Sequence, residues 1–130
     1  MLFDAKLLMS NAQAITASAA STDIIDRGDT KDVGRAGDIP LVIQVVETFN
    51  TLTSLTIDLQ TDDSSSFGSA RSLYQVVVPL ADLKIGYQTP VITLPQKTKR
   101  YLRVNYTVTG TAPTAGKITA GVVAGVQTNA

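Results

Sequence analysis

The chain has no cysteine, no histidine and no tryptophan. Without cysteine there is no disulfide framework, no thiolate nucleophile and no zinc ribbon. Without histidine the commonest general base and the commonest transition-metal ligand are missing. Every Ser-His-Asp or Cys-His arrangement goes with them. A surplus of charge of one sign is also absent: 11 basic and 11 acidic side chains cancel. Aromatics make up only 5% of the residues. Nucleic-acid binders usually carry a basic surplus, so nucleic acid is not an expected partner. No run approaches the ~18 continuous apolar residues of a spanning helix, so no membrane partner is expected either. Glu47 is the only glutamate, which leaves little material for acid–base work by carboxylates alone. The expectation is a non-enzyme with no metal and no cofactor.

What is present is 130 residues, 44% of them hydrophobic, with 26 serines and threonines. That length suits one domain able to bury roughly 65–70% of its unfolded surface. Leu41-Val42-Ile43-Gln44-Val45-Val46 is a β-branched run apolar on both faces, as in a buried central strand. From Ser54 to Gln60 the pattern alternates, with Leu55, Ile57 and Leu59 on one face and Thr56, Asp58 and Gln60 on the other, wet one. Residues 101–109 alternate likewise, with Leu102, Val104, Tyr106 and Val108 inward. Further strands are expected at Leu73–Val78, between Pro90 and Pro95 as an edge, and from Lys117 to about Val126. Residues 13–26 carry two short extended stretches, the second at Thr22–Ile25. Residues 27–38 read as a loop, 61–69 as a polar connection and 80–87 as a turn or short helix ending at Gly86. Residues 1–12 read as an N-terminal arm ahead of a single domain over 13–130. About eight short strands without a 3.6-residue period predict an all-β fold, an antiparallel sandwich or barrel.

Met1 to Met9 superficially suggests a signal peptide, but Ser10, Asn11, Gln13 and Thr16 interrupt the apolar stretch. Gly110 to Lys117 imitates a phosphate-binding loop, yet five residues separate the glycines and Ile118 stands where Ser or Thr is needed. A hairpin loop is the better reading. Asp23, Asp26, Asp29 and Asp32 recur every third residue, but Arg27, Lys31 and Arg35 are interspersed. A solvated loop is favoured over calcium. Arg27-Gly28-Asp29 and the sequon Asn105-Tyr106-Thr107 are short strings of low specificity. Asp62, Asp63 and Asp58 could in principle supply a carboxylate pair, but neighbouring strand residues point to opposite faces, so Asp62 and Asp63 are not expected to converge on a substrate.

Two features remain as possible partner contacts. One is the arm, with Phe3, Leu7 and Leu8 each able to contribute roughly 1.5–3 kcal/mol on full burial. The other is the basic strip Lys97, Lys99, Arg100 and Arg103, with Tyr101 interleaved. The strip reads as a solvated edge or a patch for an acidic protein surface, ahead of a nucleic-acid grip.

Several strings taken in order resemble a family of tailed-phage capsid decoration, or cement, proteins. They are Asp4-Ala5-Lys6, Asn11-Ala12-Gln13-Ala14, Ser21-Thr22-Asp23, and Leu59-Gln60-Thr61-Asp62-Asp63 with Phe67. Arg100-Tyr101-Leu102-Arg103-Val104-Asn105-Tyr106-Thr107-Val108 and Thr114-Ala115-Gly116-Lys117-Ile118-Thr119-Ala120 follow. The resemblance implies a jelly-roll-like β-sandwich made in the host cytoplasm and mounted on the capsid exterior. It implies a homodimer or homotrimer that bridges neighbouring major capsid proteins. It brings no catalytic motif. The competing expectation is a carbohydrate- or receptor-binding sandwich on the virion, for which Tyr74, Tyr87, Tyr101 and Tyr106 are the available aromatic platforms.

Overall fold

The computed structural model describes residues 3–26, 40–89, 92–93 and 99–123, with 3–7, 40, 92–93 and 123 described through their backbone only. Nine strands follow one another: β1 (Phe3–Ala14), β2 (Ala19–Ala20), β3 (Ile25–Asp26), β4 (Pro40–Glu47), β5 (Leu52–Asp62), β6 (Arg71–Pro79), β7 (Ile92–Thr93), β8 (Tyr101–Gly110) and β9 (Lys117–Val123). The only helical piece among the described residues is a 3-10 turn at Leu80–Asp82, which ends the run from β6.

The strands form two antiparallel sheets, ordered β1-β9-β4-β7 and β2-β8-β5-β6, with β3 also on β8. Ala19–Ala20 lie opposite Tyr106–Asn105, and Ile25–Asp26 opposite Leu102–Tyr101. β2 and β3 therefore fill one strand position, interrupted between them, and the count of positions is eight. The pairings nest: β1 with β9, β2 and β3 with β8, β4 with β7, β5 with β6. A long antiparallel hairpin rolled over itself pairs its strands this way, and the result is a jelly-roll sandwich.

One apolar cluster lies between the sheets. The first sheet supplies Met9, Leu41, Ile43, Val45, Ile118 and Ala120, and the second Leu55, Ile57, Leu59, Leu102, Val104 and Tyr106. The period-two pattern accounts for most of this, since alternate residues of β5 and β8 face the same way. Each such side chain contributes roughly 1.5–3 kcal/mol relative to exposure. Tyr106 brings a hydroxyl into the core, and Ser10 Oγ meets it at 2.8 Å, tying β8 to β1 across the sandwich. Burial pushes the Tyr106 phenol well above its ordinary pKa, against the opposing effect of the Ser10 bond.

Several expectations change. The Gly110–Lys117 segment is not a hairpin loop. It joins β8 to β9, which lie in different sheets, so it arches over the end of the sandwich. Alternation identifies strands, but pairing between distant strands decides which are neighbours. At the base of this arch Gly116 has φ 133°, and a Cβ there would sit 2.4 Å from the Phe49 ring. Thr22 and Asp23 form a bend, where Ser21 Oγ donates to the Asp23 carbonyl, and the strand begins only at Ile25. Asp58 is not on a fully wet face: it is only 8% exposed, covered by its hydrogen-bond partners. Residues 3–12, expected as an arm, run as the first part of β1, with Met9 fully buried. The expected loop 27–38, the end of the last strand beyond Val123, and most of the 90–95 stretch lie outside the described residues.

Candidate interaction surface

The basic strip sits where β8 begins beside the end of β5. The Thr61 hydroxyl donates to the Tyr101 carbonyl at 2.9 Å and accepts from the Lys99 backbone N–H at 2.8 Å. This one side chain fixes how the strip enters the sheet. Next to it, Asp62 organises the connection to β6. Its Oδ1 accepts from the N–H groups of Asp63 (2.6 Å) and Ser64 (3.4 Å), and its Oδ2 from Ser69 (2.8 Å). Asp62 is only 4% exposed. The Ser69 bond holds its carboxyl below the ordinary carboxylate value, against the opposing effect of burial, with the Ser64 and Asp63 bonds and the Lys99 charge adding to the lowering. The loop so closed turns back through Phe67, at φ 53°.

The structure brings three of the expected cations together and gives each a partner. Lys99 Nζ lies 3.6 Å from Asp63 Oδ2. Arg100 grips Asp26 with both ends of its fork, at 2.8 and 3.1 Å, and lies 5.0 Å over the Tyr101 ring. Arg103 lies 4.4 Å over the Phe67 ring and donates to Gln60 Oε1 at 2.9 Å. Exposed ion pairs such as Lys99–Asp63 contribute only about 0.2–1 kcal/mol, but a forked arginine pair adds a fixed geometry. The strip is thus a patch of alternating sign, suited to short-range contacts. Lys97 lies outside the described residues.

From Arg103 a polar rail crosses the outward side of the second sheet. Gln60 Nε2 donates to Asp58 Oδ2 at 2.9 Å, and Ser72 Oγ donates to Asp58 Oδ1 at 2.5 Å. Asn105 and Gln75 flank Asp58 in the strand register. The rail presents amides, hydroxyls and a guanidinium on a rigid sheet. Among the described residues no group of three or more Asp, Glu, His or Cys could hold a metal ion. No helix among them is long and apolar enough to cross a membrane.

The apolar candidates lie at the opposite sheet. Phe3 is paired with Val123 and Leu8 with Gly121 in register, and Leu8 is half-buried. For Phe3 and Leu7 only the backbone, within β1, is described. Sequence reasoning missed Thr61, Asp62 and Phe67. The signal for Asp62 was present: an Asp at a strand end followed by a Ser- and Gly-rich run is an Asx-turn signature.

No curated protein matches the chain. The family model described as Bbp16 matches residues 9–122, from the buried core of β1 to the penultimate residue of β9. By that match the chain belongs to the Bbp16 family.

Proposed function

We propose that the protein is a structural virion protein that sits on the exterior of an icosahedral phage head and bridges neighbouring major capsid proteins, stabilising the shell. The observation that carries this reading is the eight-position jelly roll, with a rigid outward sheet lined by hydrogen-bonding groups. Jelly rolls recur in viral coat proteins, an argument from fold that raises the expectation without fixing it. The resemblance of its residue strings to those of capsid decoration proteins points the same way. A neutral chain with ion-paired arginines and lysines fits attachment by many short-range contacts better than long-range steering. Repeated weak contacts on a symmetric shell gain from effective concentration.

The carbohydrate-platform reading has less support. Tyr106 is buried in the core, and the Arg100 guanidinium already lies over Tyr101. The test is cosedimentation with phage heads prepared without this protein. The reading expects it to pellet with the heads and to saturate at a fixed ratio to the major capsid protein. Protein that stays in the supernatant at every concentration contradicts it.

A further inference from the structure

The two ends of the sandwich are built differently. The end where β5 finishes carries the patch of alternating sign around Lys99, Arg100 and Arg103. β5 is 11 residues long, which holds the opposite end roughly 30–35 Å away. There β4, β6 and β8 finish, β9 begins, and three connections meet around the buried Phe49. The Phe49 N–H donates to the Leu83 carbonyl at 3.0 Å, and its ring packs against Gly116. The Asn50 side chain accepts from the N–H groups of Thr114 and Ala115 at 2.9 and 3.2 Å and donates to Thr114 Oγ1 at 2.8 Å. Connections at the end of a sheet are ordinarily mobile, but these are tied to one another. On this end stands Ile85, 68% exposed and the most exposed large hydrophobic side chain among the described residues. Its backbone holds it there. Leu83 is fully buried, the Ile85 N–H donates to Thr48 Oγ1 at 3.2 Å, and the N–H groups of Gly86 and Tyr87 donate to the carbonyls of Val45 and Lys84 at 3.1 and 3.0 Å. Gly86, at φ 93°, makes the sharp return towards β4. Asp82 and Lys84, just before Ile85, are exposed, and neither is in an ion pair among the described residues.

We infer that Ile85 is a docking knob that seats in an apolar pocket of the major capsid protein, where a cation on the rim meets Asp82 and a carboxylate meets Lys84. The inference rests on the capsid-bridging reading and gives it a second contact. A bridge needs two separated contacts, and the molecule carries a different one at each end: a mixed-charge patch and an apolar knob. A convex, rigid turn matches a concave partner. Its backbone is ordered before binding, so seating Ile85 costs little further ordering. An apolar anchor ringed by polar groups is the usual build of a binding hot spot. The two unpaired charges of opposite sign beside the knob select a protein rim carrying both signs. A lipid surface is a poorer match, because stable attachment there needs far more apolar area than one isoleucine beside a carboxylate supplies.

Titrated cosedimentation with phage heads lacking the protein tests it. Ile85→Asp is expected to raise the dissociation constant at least ~tenfold, with an unchanged circular dichroism spectrum and melting temperature, since the side chain stands mostly outside the fold. Ile85→Leu keeps the apolar volume and is expected to stay within ~threefold of the wild type. K84E and D82K are each expected to weaken binding roughly two- to fivefold. Wild-type protein that never pellets overturns the capsid reading and this inference with it. Wild-type protein that pellets while Ile85→Asp pellets equally well overturns the inference and leaves the capsid reading standing. A changed mass of free Ile85→Asp in sedimentation equilibrium assigns the residue to a contact between copies and also overturns the inference.

Discussion

Asp62 shows how one side chain sets the course of a loop and makes the fold sensitive to acid. Its carboxylate accepts three backbone N–H bonds from the seven-residue stretch 63–69, and the one from Ser69 does most to hold its pKa below 3.8. A carboxyl depressed in the folded state contributes stability that is fully present above its unfolded value. That stability is lost as pH falls through the folded value. The thermal stability of the wild type is therefore expected to fall as pH drops below 3.8. Asp62→Asn keeps one acceptor oxygen but no charge. Its melting temperature is expected to be lower at neutral pH and its acid dependence flatter, and parallel curves for the two proteins would contradict the assignment. Gly116 is decisive by a different route. With φ at 133° and the Phe49 ring 2.4 Å from where a Cβ would stand, Gly116→Ala combines backbone strain with overpacking. The expected loss is about 2–4 kcal/mol in denaturant unfolding. A loss within experimental error would mean that Phe49 yields freely.

Among the elements, β1 carries the sharpest prediction. Residues 3–12 were legible only as an arm, because Leu7, Leu8 and Met9 are consecutive and spoil any period of two. The bulges explain the broken pattern. Ser10 still reaches Tyr106 and Met9 still fills the core, although the ladder slips three times. Met9→Ala removes a fully buried side chain and is expected to destabilise the protein by about 2–5 kcal/mol. An arm that docks only on a partner would show no such loss in the isolated chain, so urea unfolding of this variant separates the two descriptions. β5 and β8 were readable because their inward residues alternate without a slip from Leu55 to Leu59 and from Leu102 to Tyr106. β4 was readable because Leu41, Val42, Ile43 and Val45 are all buried in a central strand. The interaction surface was half legible. Lys99, Arg100 and Arg103 were visible as a strip, but their partners Asp63, Asp26 and Gln60 come from other segments. Only the pairing of β8 with β5 and β3 brings them into reach.

At the scale of the molecule, the nested pairing makes the sandwich a single unit. β1 pairs with β9 around the inner pairs, and most of the stabilising contacts join residues far apart in sequence. In such a body neither sheet can be peeled away without exposing the shared core. The polar rail of β5, β6 and β8 offers neighbours a rigid hydrogen-bonding surface. We propose that this body strengthens a shell, and the direct measurement is the thermal stability of phage heads with and without it. Heads lacking the protein should release their contents or disassemble at a lower temperature, and adding the purified chain back should restore the higher one. Heads equally stable in its absence, or unchanged by its return, would contradict the account.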